Sequence, residues 1–189
     1  MILARPEWDW FIFTMCRGND VDRAHKFWRV LDHLNALGNM ADLNDDPEQK
    51  PLELPIIEKT ILSYLPTTDF DIVITHSPWG EYTRHLRHEE LARAVVGLWQ
   101  TEQIRAKAVL MFAYEDGQRN YYPQADKDAH IKEPLPNKRW EQKYRLVTDV
   151  YGFSEDSWEA RTTPREEAFW YFESPDEINS WMSLKGMTQ

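Results

Sequence analysis

The chain has 189 residues, 42% of them apolar and 29% charged, which suits one domain with a sizeable core. Asp and Glu number 32 against 22 Lys and Arg, a net charge of −10 that argues against nucleic acid or an anionic membrane as the main partner. No apolar run approaches the ~20 residues of a membrane span, no Gly-rich phosphate loop occurs, and the single cysteine, Cys16, excludes an internal disulfide and a cysteine-based zinc cluster.

The opening Met1-Ile2-Leu3-Ala4-Arg5-Pro6-Glu7 lacks the basic and apolar blocks of a signal peptide, so a cytoplasmic enzyme or small-molecule-binding domain is expected. The continuous apolar run 10–15 predicts a strand buried on both faces, and Cys16-Arg17-Gly18-Asn19-Asp20 a turn. A helix capped by Asp22 follows, with Phe27, Val30, Leu31, Leu34 and Leu37 on one face and Gly38 as its stop. Residues 42–51 are acidic and loop-like. A helix over 54–65 turns Ile57, Ile61, Leu62 and Leu65 inward, and Pro66 ends it. The run 71–76 predicts a second buried strand. A loop over 77–82 then leads into a helix over 84–100, whose inner face is Leu91, Ala94, Val95 and Leu98. A third buried strand is expected over 108–113, followed by the loop Tyr114-Glu115-Asp116-Gly117. Beyond it, residues 118–136 read as a long loop, 139–150 as a helix and 168–172 as a late strand, an irregular third packed on the sheet.

This order is α/β with a mostly parallel sheet, in which ligands bind beyond the carboxyl ends of the strands. Those ends carry Arg17 to Asp20, His76 to His88, and Glu115 to Gly117. Three of the six histidines, His76, His85 and His88, fall within thirteen residues directly after the second strand. His85 and His88, three apart, share a face of a first helical turn, which reads either as a metal-binding pair or as a solvated helix start. Five of the nine tryptophans lie between positions 79 and 170, as core and lid packing or as the walls of a pocket. Asp20 and Asp22 lie near the expected cleft. Cys16 is expected to be a small apolar strand end, and His25, His33 and His130 surface residues.

The stretch Thr75-His76-Ser77-Pro78-Trp79-Gly80-Glu81-Tyr82-Thr83-Arg84-His85-Leu86-Arg87-His88 resembles the second signature of the PIG-L (LmbE-like) de-N-acetylases: a strand ending in Thr-His, then Gly-x-Tyr-x-x-His-x-x-His. Arg17-Gly18 and the following helix with Arg23 resemble a second family segment, and the likeness covers about residues 8–115. It implies a single domain over 1–189 with a Rossmann-like three-layer sandwich, and hydrolysis of an N-acetyl group, usually on an amino sugar, at a mononuclear zinc. By position, His88 resembles a zinc ligand, and His85 the histidine that stabilises the charged intermediate. Arg23 resembles a substrate contact. Arg17, Arg84 and Trp79 are expected to shape a sugar-sized pocket.

The family's other signature, His-Pro-Asp-Asp-Glu, has no counterpart: the sequence holds no His-Pro, and its one Asp-Asp, Asp45-Asp46, stands elsewhere. Relative to the family, the chain is expected to begin inside the helix after the first strand, with that strand missing. Two consequences follow. The exposed sheet edges predict a homo-oligomer. With His88 as the one inherited ligand, zinc is expected to bind weakly unless Asp20 or Asp22 joins it. An enzyme and a non-catalytic binding module of the same fold both remain open.

Overall fold

The computed structural model describes residues 1–81 and 84–185. After a 3-10 turn at Ile2–Ala4 come β1 (Phe11–Cys16), α1 (Val21–Leu34), β2 (Leu37–Leu43), α2 (Leu54–Tyr64), β3 (Asp69–Thr75), α3 (Leu86–Gln100) and β4 (Arg105–Phe112). The chain continues through β5 (Tyr114–Glu115), β6 (Gln124–Ala125), β7 (Ile131–Pro134), α4 (Asn137–Arg145), a π-helical segment at Leu146–Val150, α5 (Trp158–Arg161), β8 (Glu166–Phe172) and α6 (Pro175–Leu184).

The molecule is mixed α/β, with parallel pairing in two places. β1 and β2 are parallel, Phe11 opposite Leu37 and Thr14 opposite Met40. β3 and β4 are parallel, from Asp69 opposite Arg105 to Thr75 opposite Met111. β8 and β7 extend the second sheet antiparallel, in the order β3-β4-β8-β7. The strand at 10–15 is therefore not a ladder neighbour of those at 71–76 and 108–113; its partner is β2. That strand was hidden because its sequence, Leu-Gly-Asn-Met-Ala-Asp-Leu, lacks the β-branched residues and clean alternation of a strand.

Gly38 belongs to β2 rather than ending α1. A Cβ there would stand 2.5 Å from the Ile12 carbonyl oxygen and 2.8 Å from Leu31 Cδ1, so only glycine lets β2 lie this close to β1 and α1. The helix ends instead at Asn35, whose φ of 49° is left-handed. At the other end the cap is Asp20, not Asp22: its carboxylate accepts from Arg23 N at 3.0 Å, while Asp22 pairs with Lys26 at 2.6 Å.

The C-terminal third is likewise not irregular. β8 occupies the middle of the four-stranded sheet, hydrogen-bonded to β4 on one side and β7 on the other, with Ala168, Phe169, Trp170 and Phe172 buried. β7 falls inside the expected loop 118–136; its Lys132 and Glu133 masked it, because it needs to bury little as an edge strand.

Alternation along β4 divides the core. Val109 and Met111 face a cluster with Val96 and Trp99 of α3, Trp170 and Phe172 of β8, and Ile178 of α6. Ala108 and Leu110 face the other side, with Phe169, Ile72, Ile74 and Met1. A third cluster joins the two sheets: Met15 and Phe13 of β1 and Phe70 and Val73 of β3 pack with Ile57 and Ile61 of α2 and Leu98 of α3. No described helix is long and apolar enough to cross a membrane.

Candidate metal centre

The parallel strands deliver their carboxyl ends to one rim. β1 ends at Cys16, β2 at Leu43, and β3 at Thr75 with His76 directly after it. From Ser77 the chain turns back on itself: Gly80 N donates to the Ser77 carbonyl at 3.0 Å, Trp79 N donates to Ser77 Oγ at 3.3 Å, and Gly80 adopts a φ of 79°, the left-handed region that glycine enters without strain. The turn returns Glu81 beneath His76. The Glu81 side chain is 1% exposed and its Oε2 accepts from Ser77 N at 3.4 Å.

Glu81 Oε1 faces two imidazoles. His76 Nδ1 makes a short hydrogen bond to it, and His88 Nδ1, from the first turn of α3, lies 2.9 Å away. The two rings stack with centroids 3.8 Å apart and planes 10° apart. Burial pushes the Glu81 carboxyl up, but the hydrogen bonds and charge of His76 and His88 outweigh it and hold the group at about 2. A carboxylate only accepts, so each Nδ1 facing Glu81 carries its proton here. One ligand atom from each of His76, Glu81 and His88 lies within 4.8 Å of the others. Two imidazoles and one carboxylate form a donor set suited to zinc and neighbouring transition metals. An ion bound by these atoms displaces the Nδ1 protons, so acid opposes its binding.

His85 is the residue before α3 rather than part of its first turn, with a φ of −135°. Its ring lies 4.5 Å from that of His88, and its Nε2 lies 3.9 Å from Asp45 Oδ1. Burial, then the neighbouring His88, lowers its pKa, with Asp45 and Glu81 opposing. Asp45 also accepts from Arg17 Nε at 3.1 Å and from Gln49 Nε2 at 2.6 Å. The loop bearing Asp45 is tied down from α3 by buried Arg87. Its Nε donates to the Asn44 carbonyl at 2.6 Å, its second terminal nitrogen donates to the Lys50 carbonyl at 2.7 Å, and its first makes a short bond to Glu90. Glu90 in turn accepts from Leu52 N at 2.9 Å.

The other expected residues divide between two places. Arg17, at a φ of 64°, is gathered to the rim through Asp45 and lies 3.5 Å from Asp20. Trp79 and Arg84 line a neighbouring cleft of about 700 Å³, to which Glu81 also contributes. Arg84 is largely exposed and forks onto Glu89 with two bonds of 2.8 Å. Arg23 is not brought to the histidines: its guanidinium lies over Phe153 at 5.3 Å and Tyr151 at 5.8 Å. Asp20 and Asp22 are spent on the α1 cap and on Lys26, so the carboxylate beside the histidines is Glu81. Cys16 is half-buried, and burial followed by Asp45 raises its thiol to about 11. Tyr82 and Thr83 of the quoted motif lie outside the described residues.

Sequence reasoning missed Glu81, Asp45 and Arg87. For Glu81 a signal existed, the spacing His-x4-Glu-x6-His across a strand end, a turn and a helix start. Asp45 and Arg87 had none, since their roles depend on a loop folded back onto α3. No protein-family model matches the chain, and no curated protein matches it either.

Proposed function

We propose that the chain is a metal-dependent hydrolase of PIG-L type, cleaving the amide of a small N-acyl compound such as an N-acetylated amine or amino sugar, in a Rossmann-like layered α/β fold. The observation that carries this reading is the convergence of His76, Glu81 and His88 within 4.8 Å at the carboxyl end of a parallel strand. Zinc held there supplies a polarised carbonyl and a more acidic water. The chain's own residues do the rest. In the metal-free site Glu81, buried between two imidazoles, holds both rings toward the position the ion would take. To His85, whose ring lies 4.5 Å from that of His88, this reading assigns the hydrogen bond to the developing oxyanion. Asp45 faces His85 Nε2 at 3.9 Å and is itself held by Arg17 and Gln49.

A metal-binding module without turnover is the second reading. It is favoured because the rim carboxylate other than Glu81, that of Asp45, is already engaged by Arg17 and Gln49 rather than free to take a proton from water. An assay for acetate release by zinc-loaded protein, with N-acetylglucosamine and small N-acetylamines as substrates, separates the two. The hydrolase reading predicts turnover that disappears in Glu81→Gln and His88→Ala. Stoichiometric zinc without acetate release supports the module.

A further inference from the structure

The cleft beside the centre has a character the trio does not explain. It opens between the turn at 77–81 and the segment 114–126 and is floored by Trp170 and Trp181, with Trp79 set edge-on to Trp181 at 4.5 Å. Its charged lining is Glu81, Glu115, Asp116 and Asp126 against Arg84 and Lys185. Arg84 is neutralised by its fork onto Glu89, which leaves Lys185 as the cation facing this acidic wall. Lys185 Nζ has no carboxylate within 4.0 Å among the described residues; it lies over the ring of Trp170, 5.1 Å from its centroid. The molecule thus lays an exposed ammonium of its own over an aromatic ring at the edge of an acidic cleft, a cation–π contact of the kind by which proteins recognise alkylammonium ligands.

We propose that this cleft is an ammonium-binding subsite, taking the free amine end of a diamine or polyamine, with Lys185 as the internal cation that such a ligand displaces. Three kinds of surface line it: the Trp170 ring for the cation, Asp116 and Asp126 as negative charges of the same cleft, and Trp79 and Trp181 for the methylene chain. Resting on the function proposed above, the subsite narrows the substrate to a mono-N-acyl polyamine. Its free ammonium sits in the cleft and its amide reaches the centre past Glu81, the residue common to both. In that reaction the amide C–N bond breaks and the oxygen of water joins the acyl carbon. Carboxylate leaves, and the nitrogen takes up both protons of that water and departs as a further ammonium.

The test is a titration of the metal-free full chain with spermidine at about 150 mM salt, read by intrinsic tryptophan fluorescence, with 1,8-octanediol as the uncharged probe of similar length. Saturable quenching by spermidine but not by the diol is expected. Lys185→Met removes the competing cation and should tighten binding by about tenfold, and Asp116→Asn should weaken it by about tenfold, the scale of one cation–π or ionic contact. Glu159→Gln, in α5 and outside the cleft lining, should leave it unchanged. Equal response to the diol, no saturation, unchanged or weaker binding in Lys185→Met, or an equal loss in Glu159→Gln would each overturn the subsite. Because the protein is metal-free, this outcome is independent of the hydrolase reading. With zinc added, faster acetate release from N1-acetylspermidine than from N-acetylglucosamine is expected, and the reverse order overturns the substrate class while leaving the hydrolase reading standing.

Discussion

Two segments flank the histidine trio and are held in opposite ways. The loop after β2 carries Asp45 and is fastened from below by buried Arg87 and Glu90, which together bind the Asn44 and Lys50 carbonyls and the Leu52 amide. The segment after β4 is anchored at its start by buried Tyr114, whose hydroxyl donates to the Glu166 carbonyl at 3.0 Å, but its loop is fastened at the surface: exposed Tyr121 bonds to Glu115, and Glu115 accepts from Gly117 N at 2.9 Å. The first arrangement spends a buried charge network on fixing one carboxylate beside His85. The second leaves a cleft whose outer loop, at Glu115 to Tyr121, rests on contacts that water can replace. The metal-dependent hydrolase proposed above would need both, one on each side: a still ligand set and an opening for substrate.

Breaking the first side should cost the most. Arg87→Ala strands Glu90 as a buried, unpaired carboxylate and frees two loop carbonyls, so a loss of about 3–5 kcal/mol is expected in urea unfolding. Arg87→Lys should recover little, because an ammonium cannot reproduce the fork to two carbonyls and a carboxylate. On the other side, Tyr121→Phe removes one exposed hydrogen bond and should cost no more than about 1 kcal/mol. If the two variants lose similar stability, the distinction between the sides fails.

The contrast also explains what could be read in advance. The strands at 10–15, 71–76 and 108–113 announce themselves because each is a continuous apolar run buried on both faces. His85 and His88 announce themselves by spacing at a strand-to-helix junction. Glu81 does not, because a glutamate in a polar loop looks solvated until the left-handed Gly80 turns it inward. Arg87 and Glu90 look like the wet face of a helix, since nothing local says that the 44–52 loop lies over them. β2 fails the pattern test because its Gly38 is selected by close approach to β1, not by strand propensity.

A smaller effect concerns Glu167, near the start of β8. Burial raises the Glu167 carboxyl, but Lys143 at 2.7 Å and the N-terminal amine at 3.9 Å outweigh it and leave its pKa below the ordinary value. A carboxylate with a depressed native pKa contributes stability above its unfolded pKa of about 4.3 and loses it as pH falls through the native value. Unfolding midpoints measured between pH 6 and 3 should therefore fall more steeply in the wild type than in Glu167→Gln, and parallel curves would count against the pairing. The smallest effect is at Cys16. With its thiol raised to about 11, alkylation by iodoacetamide at pH 8 should be slower than for a free cysteine, whose thiol titrates near about 8.5.

Whether His76, Glu81 and His88 together hold a metal is decided by calorimetric titration of zinc into metal-free protein at pH 7. One site per chain is expected, tighter than about 1 µM, or about 8 kcal/mol of binding. Glu81→Gln and His88→Ala should each weaken the site by more than the roughly 10–100-fold typical of an outer partner, while Asp22→Asn leaves it untouched. Heat too weak to define a site, or a site that survives Glu81→Gln and His88→Ala, would contradict the proposed centre.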